Sequence, residues 1–183
     1  MASVISHAVA ALGIGAAFYR PGMPKRVWVL AVAGAIVPDA DVMGFHLGVH
    51  YQDFWGHRGF THSLLFAAFL AVLTTALGFR NTGSSDRRLL GLYFFLATAS
   101  HGLLDAMTSG GLGVAFFSPF DTTRYFLLWR PILVSPIGVA RFFSPRGLAI
   151  LKSEFVWIWL PSALLAFFAL LLRRSSRNPQ SAD

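Results

Sequence analysis

The stretch LLGLYFFLATASHGLLDAM, which runs from Leu89 to Met107, combines the two properties that decide the fold. It is apolar and about as long as a helix that crosses a bilayer, which needs about 20 residues. It also carries His101 and Asp105, and ionisable groups at membrane depth normally face a partner or a water-filled cavity. Their i, i+4 spacing puts both side chains on one helix face. The stretch therefore predicts a membrane helix with a polar site near one end.

The composition of the whole chain places it in a membrane. The 183 residues are 55% hydrophobic and 13% charged, with 18 Phe and a mean hydropathy of +0.60, which is too apolar for an ordinary soluble domain of this size. The net charge of +7 could indicate nucleic acid, but the basic residues cluster at segment ends, as membrane-flanking charge does, so we expect no nucleic-acid partner. The absence of cysteine leaves only nitrogen and oxygen to hold a metal.

Further apolar segments flank this stretch on both sides. We expect an all-α, polytopic helical membrane protein with about four to five membrane-embedded helices and a metal site at one membrane face. The first two segments are short and predict a packed hairpin that need not cross fully. The remaining apolar segments are Val4–Tyr19, Val27–Val37, His62–Phe79 and about Phe155–Leu172.

The region from Thr108 to about Ser153 is rich in Gly, Pro and aromatic residues, which indicates a structured loop or interfacial helices. We expect residues 1–172 to form a single integral-membrane domain. Residues 173–183 form a basic polar tail, for which the sequence predicts disorder.

The positions of the basic residues predict the topology. If every segment crosses, Arg20–Arg26, Arg80–Arg88 and the tail lie on one side, which should be cytoplasmic. The N-terminus, the Asp39–Thr61 loop and the end of the Leu89–Met107 helix then lie on the other side, although arginines at 124, 130, 141 and 146 also fall there. We therefore expect an extracytoplasmic site.

Histidines and aspartates at segment ends all fall on that second side. These residue types hold divalent metals, and for a site without thiolates one or two Zn or Mn ions fit best. His7, near the start of the first helix, is individually the weakest candidate. The predicted ligands are His7, Asp39, Asp41, His57, His62, His101 and Asp105.

Two of the motifs also have structural interpretations. The carboxylates of Pro38-Asp39-Ala40-Asp41 can share a pocket, or they can belong to a solvated turn. His101 and Asp105 can reach one ion, or they can simply hydrogen-bond to each other. We interpret the remaining loop candidates, His46, His50, Asp53 and Asp121, as surface or interfacial residues.

The motif His57-Arg58-Gly59-Phe60-Thr61-His62-Ser63 delivers two imidazoles within one short segment. Thr61 is a plausible N-cap for the helix that follows, which would place His62 in its first turn. Arg58 can pair with an anionic substrate group, particularly phosphate, and is the predicted catalytic residue. The alternative for Arg58 is an interfacial anchor that extends its charge to the membrane surface.

These blocks, in this order, resemble the YdjM-like family of predicted inner-membrane metal-dependent hydrolases. The resemblance rests on Pro38–Asp41, His57–Ser63 and His101–Asp105, is supported by His7, Gly111 and Pro119-Phe120, and covers roughly residues 1–120. It implies a bacterial or archaeal membrane protein with a divalent-metal site.

The leading functional hypothesis is a metal-dependent hydrolase that acts on an ester or phosphoester of a lipid or amphiphilic substrate through a metal-activated water. A site at the bilayer surface makes phospholipids or lipid-linked intermediates the natural substrates. Two alternatives stay open: a non-catalytic scaffold in which the metal only joins short helices, and a metal-ion transporter.

Overall fold

Apolar helices form the bundle in the computed structural model, which describes residues 1–136 and 144–175. Within those ranges there is no β-strand, only two isolated bridges, and the predicted all-α class is confirmed. The helices are α1 (Val4–Phe18), α2 (Lys25–Ile36), α3 (Leu64–Gly78), α4 (Ser84–Ala106), α5 (Pro145–Glu154) and α6 (Leu160–Ser175).

In the described part of the chain, three helical stretches are long and apolar enough to cross a membrane: Lys25–Leu47, Ser84–Ala106 and Pro145–Ser175. The helices α1 and α3 are apolar but shorter, and their 15 residues span only about 22 Å. Together they give the helical membrane architecture that the sequence predicts. The third stretch joins α5 to α6 through the π-helical turn Phe155–Trp159.

Small residues line the helix contacts in the bundle. α1 packs against α2, α4 and α6, and α3 packs against α4. At the crossing of α1 and α6, a Cβ added to Gly13 would lie 2.7 Å from the Cβ of Ser162, so only glycine permits this approach. Such contacts suit membrane helices, because lipid offers no hydrophobic drive and association depends on close packing. The buried core is accordingly rich in alanine, including Ala11, Ala31, Ala35, Ala71 and Ala97.

The chain reverses direction at each turn, which separates the two ends of the bundle. The basic turns meet at one end, where Arg20 pairs with Asp86 of α4. The other end receives the start of α1, the end of α2, the start of α3 and the end of α4. The residues between α2 and α3 and those after α4 are gathered there.

The second apolar segment was predicted to end at Val37, but helical conformation continues past Pro38. The segment Val37–Leu47 continues from α2 as a 3₁₀ helix, so only the later part of the predicted loop is irregular. Proline lacks the N–H that α-helical pairing needs, yet its fixed φ suits a new helical start.

Other boundaries also differ from prediction. The N-cap of α3 is Ser63, whose Oγ accepts from the Phe66 N–H at 3.1 Å, so His62 ends the preceding 3₁₀ turn, Phe60–His62, and lies outside the helix. α4 begins inside the basic stretch Arg80–Arg88, which the sequence placed between two helices, and α5 begins ten residues before the predicted last helix. Arg173 and Arg174 of the predicted tail belong to α6. Residues 176–183 and Arg141 lie outside the described residues.

Candidate metal centre

Four of the predicted ligands converge between the end of α2 and the end of α4. The 3₁₀ helix after α2 supplies Asp39, the short turn before α3 supplies His62, and α4 supplies His101 and Asp105. One donor atom from each lies within 4.8 Å of all the others. All four residues are buried, with at most 6% of any of them exposed.

The backbone of α2 fixes the orientation of the His101 ring. Its Nδ1 lies 2.7 Å from the carbonyl oxygen of Ala35. A carbonyl can only accept, so Nδ1 carries the proton and donates it. The Nε2 of the neutral ring is therefore an unprotonated lone pair, and it faces the cluster.

His62 is held in the same way by a carboxylate. Its Nδ1 lies 3.2 Å from Oδ2 of Asp41. Burial lowers the pKa of His62, but the carboxylates of Asp39 and Asp41 outweigh burial and raise this pKa to about 9. The Nε2 atoms of His62 and His101 are 3.0 Å apart. Oδ1 of Asp39 lies 3.3 Å from Nε2 of His101 and 3.7 Å from Nε2 of His62. A protonated His62 can donate from Nε2 to Nε2 of His101, and a bound cation would take the place of that shared proton.

The spacing of the donors fits a small divalent ion. Metal–ligand bonds of about 2.0–2.2 Å in a tetrahedron put neighbouring donors about 3.3–3.6 Å apart. The separations above, together with 3.8 Å from Nε2 of His62 to Oδ2 of Asp105, bracket that range. Neither carboxylate oxygen of Asp39 has a hydrogen-bond partner among the described residues, although both are buried. The residues present therefore fit a metal.

A second group shares His62 and includes Asp41 and His57. Nδ1 of His57 lies 2.8 Å from Oδ1 of Asp41, and the Thr61 hydroxyl, expected at the helix cap, donates to Oδ2 of Asp41 at 2.7 Å. Burial lowers the pKa of His57 against the opposing effect of Asp41, which favours the neutral ring. Its Nε2 is buried and has no hydrogen-bond partner among the described residues.

His7 lies beside the first group without joining it. Its ring stacks on that of His101 at a centroid distance of 3.7 Å, and its Nε2 is 3.6 Å from Oδ1 of Asp105. Neither ring nitrogen has a hydrogen-bond partner in the described part of the chain. The structure thus brings all seven predicted residues to one end of the bundle, in two overlapping groups with His7 adjacent.

Arg58 is buried and paired within the protein. Its Nε lies 3.0 Å from Oδ2 of Asp105, while Nη1 donates to the carbonyl of Gly110 and Nη2 to the hydroxyl of Thr108, both at 2.9 Å. The side chain has no exposed surface. The guanidinium therefore does not extend to the membrane surface, which was the alternative interpretation, and its catalytic role stays a prediction. The backbone here is unusual, with a φ of +67° at Arg58.

The other loop candidates lie away from the cluster. His46 is exposed, and His50 is exposed and faces Asp53 at 3.5 Å. Asp121 accepts from the hydroxyl of Tyr125 at 2.6 Å. These positions agree with their interpretation as surface residues.

Two charged residues that support the site were missed in the sequence. Arg124 donates to the carbonyls of His57 at 2.7 Å and Tyr51 at 2.9 Å, which fixes the loop that carries the second group. Glu154 is fully buried and accepts from the backbone N–H of Ser3 at 2.5 Å and from the hydroxyl of Ser6 at 2.7 Å. The sequence could have indicated Glu154, because it is the one glutamate of the chain and adjoins a long apolar segment. No feature of the sequence singles out Arg124.

The fold and this cluster define an integral membrane protein with a buried His/Asp centre. The chain belongs to the YdjM inner membrane protein family, whose model matches residues 1–177. It is also 39% identical over 165 residues to the inner membrane protein YbcI of Escherichia coli (strain K12), covering 90% of this chain and 95% of that protein. The comparison with solved structures gave no significant match.

Family membership extends beyond the resemblance seen in the sequence, which ended near Phe120. The match continues through α5 and α6 and includes Glu154. It supports an integral protein of the bacterial inner membrane, and nothing in the comparisons supports an archaeal location.

Proposed function

We propose that this protein is a membrane-embedded metal-dependent hydrolase whose divalent ion, Zn or Mn, is held by Asp39, His62, His101 and Asp105. One observation carries the proposal: the Nε2 atoms of two buried imidazoles lie 3.0 Å apart, and both lie within 3.7 Å of Oδ1 of Asp39, a buried carboxylate oxygen without a hydrogen-bond partner among the described residues. A divalent cation would satisfy these donors together, and the mixture of nitrogen and oxygen donors is typical of hydrolytic ions.

The number of potential ligands near the site supports a catalytic ion rather than a purely structural one. Four ligands satisfy a structural ion, yet Asp41, His57 and His7 lie against the same cluster. A bound ion supplies a water of lowered pKa and polarises the scissile ester or phosphoester. The seven residues leave room for one ion or two.

The surrounding residues take distinct roles in this proposal. Asp41 accepts from Nδ1 of His62 and so fixes the ring and increases its basicity, as partners of metal-bound histidines commonly do. His57 keeps a neutral ring with a free Nε2, which suits a proton acceptor. Arg58 acts as a positioning residue that orients the carboxylate of Asp105.

An amphiphilic substrate, such as a phospholipid or a lipid-linked intermediate, is supported by the apolar surroundings of the centre. Large apolar side chains in the 3₁₀ helix after α2 and in the loops at this end of the bundle are exposed, and such residues suit a membrane interface. A lipid ester or phosphoester is available at that depth. The exposed side chains include Met43, Leu47, Trp55 and Phe120.

The centre is proposed to face the extracytoplasmic side of the membrane. The basic turns lie at the opposite end of the bundle, around Arg20 and the start of α4, and short basic connections normally stay in the cytoplasm. A cysteine introduced at exposed His50 should react with an impermeant thiol reagent in intact spheroplasts. Reaction only after lysis would reverse the orientation.

The hydrolase proposal is tested with purified full-length protein loaded with Zn²⁺ or Mn²⁺. A panel of phospholipids and lipid-linked phosphates is supplied in mixed micelles, and the release of phosphate, head group and fatty acid is measured. Turnover should disappear with a chelator and in His101→Ala, and it should persist in the control His50→Ala, whose side chain is exposed. Turnover that survives both treatments would remove the metal from the reaction.

A scaffold function is the second candidate, and one observation favours it. The donors of the first group are almost completely buried, and they connect the end of α2, the turn before α3 and the end of α4. A closed site of this kind suits an ion that only joins helices. A stoichiometric ion without turnover on the panel, together with unfolding at lower temperature after chelation, would favour the scaffold. Transport gains no support, since these donors gather at one end of the bundle.

A further inference from the structure

An apolar groove runs along the outer surface between α3 and α4, away from the metal centre. Its volume is about 620 Å³, and its floor includes Ala71, Thr75, Gly91 and Phe95. The Thr75 hydroxyl donates to the carbonyl of Ala71 at 2.6 Å, so it offers no free polar group to the groove. We call this feature the α3/α4 groove.

Two arginines, Arg87 and Arg88, border the groove near the start of α4. Both are exposed. Within residues 1–136 and 144–175, neither has an ion-pair partner, because the neighbouring carboxylate, Asp86, pairs with Arg20. Two positive charges without an ion-pair partner in the described residues therefore lie beside the apolar α3/α4 groove.

We propose that the α3/α4 groove binds one anionic phospholipid, with an acyl chain along the groove and the phosphate at Arg87 and Arg88. A groove on the outside of a membrane bundle is filled by lipid chains, and paired guanidinium groups select an anionic head group at the interface. Charge complementarity thus separates this groove from an ordinary lipid contact.

A second groove in the same protein provides the contrast. It lies among α1, α3, α4 and α6, has a volume of about 700 Å³, and includes Ile14, Leu96 and Leu165 in its lining. None of the described residues that line it is charged. It can therefore take up a lipid chain but has nothing that recognises a head group.

This proposal does not depend on the hydrolase proposal. Arg88 and His101 are 13 residues apart on α4, which is about 20 Å along the helix axis. The lipid proposed here binds at the basic end of the bundle, whereas a substrate would bind at the metal centre at the opposite end. Failure of either proposal leaves the other standing.

Native mass spectrometry of the full-length protein in detergent provides the test. The protein is titrated with phosphatidylglycerol and phosphatidylcholine of identical chains, and the affinity of the first bound lipid is measured. The wild type should prefer phosphatidylglycerol by about tenfold or more, since each basic side chain near the head group adds to the attraction. Arg87→Gln/Arg88→Gln should lose that preference.

Two further variants separate the charge from the groove. Arg80→Gln removes a neighbouring basic residue that does not line the groove, and it should keep the preference. Gly91→Leu fills the groove and should weaken the first binding of both lipids. Unchanged thermal unfolding of the double variant shows that it is folded, as expected for exposed, unpaired side chains.

Two results would overturn the proposal. Equal affinity of the wild type for the two lipids would mean that the groove holds only non-selective lipid. A dimer whose formation Gly91→Leu abolishes would mean that a second copy of the chain covers this face.

Discussion

The Nε2 atoms of His62 and His101 lie 3.0 Å apart. The carbonyl of Ala35 accepts from Nδ1 of His101, and the carboxylate of Asp41 lies 3.2 Å from Nδ1 of His62. Two separate elements of the fold therefore orient both Nε2 atoms toward one point. A bound ion would take the place of the proton that a charged His62 donates there, and this relationship underlies the predictions below.

Asp41→Asn should weaken metal binding while the fold is retained. The amide can still accept a hydrogen bond, but it loses the charge that holds the ring of His62 and one oxygen that accepts from Thr61. Loss of such a partner typically lowers metal affinity about 10- to 100-fold. Competition with a fluorescent chelator measures the change. The control Asp53→Asn alters an exposed carboxylate and should bind metal as the wild type does, and equal affinities for all three proteins would contradict the role of Asp41.

Arg58→Ala should destabilise the protein by about 3–5 kcal/mol, because it leaves the buried carboxylate of Asp105 without its cation. Arg58→Lys should rescue only part of the loss, since an ammonium cannot reach Asp105, Thr108 and Gly110 together. Equilibrium unfolding in mixed micelles measures both.

The matched control for Arg58 is Arg80→Ala, an exposed site where about 0.5 kcal/mol or less is expected. A contrary outcome is easy to recognise. If Arg58→Ala keeps the stability of the wild type and loses only affinity for an anionic substrate, Arg58 is a substrate contact after all.

Gly111→Ala should lower the stability of the protein by more than the backbone strain of a positive φ accounts for. Gly111 has a φ of +93°, and an added Cβ would lie 2.6 Å from Nη1 of Arg58. The control Gly22→Ala has a similar φ of +82° with no atom within 4 Å, so it should cost only the backbone strain of about 1–2 kcal/mol. We expect Gly111→Ala to cost about 1–3 kcal/mol more, as crowding in a packed site does. Equal thermal shifts in the two variants would show that the guanidinium does not need this space.

Glu154→Gln should loosen the start of α1 from α5. The carboxylate accepts from the backbone of Ser3 and from the hydroxyls of Ser3 and Ser6, and an amide NH₂ placed there would face donors. Hydrogen bonds to a charged group contribute about 1.5–3 kcal/mol, so a loss of that size is expected in thermal unfolding. The control Asp86→Asn breaks an exposed ion pair and should cost less than about 1 kcal/mol. A smaller effect for Glu154→Gln than for this control would contradict the account.

The sequence predicted the class of fold and the polar end of the bundle well. The apolar runs and the i, i+4 spacing of His101 and Asp105 are local signals, and they lead to a helical membrane protein with its His and Asp residues at one end. The helix boundaries were less accurate. Ser63 and Thr61 are both residue types that cap helices. The Thr61 hydroxyl donates to Asp41, a contact that only the folded structure reveals, and Ser63 is the N-cap of α3.

The role of Arg58 could not be predicted from the sequence, because it depends on residues 47 to 52 positions away. Its partners are Asp105, Thr108 and Gly110, and only the assembled fold brings them to the guanidinium. The same holds for Arg124, which contacts a loop more than 60 residues earlier. Long-range pairing of this kind leaves no periodicity in the sequence.

The most direct test of the metal centre is the metal content of protein purified without chelators from its own membranes. Elemental analysis should find one or two equivalents of a divalent transition metal per chain in the wild type and in the exposed-residue control His50→Ala. His62→Ala and His101→Ala should each lose most of it. Wild-type protein that is folded, free of metal and unable to take up Zn²⁺ or Mn²⁺ on titration would contradict the account.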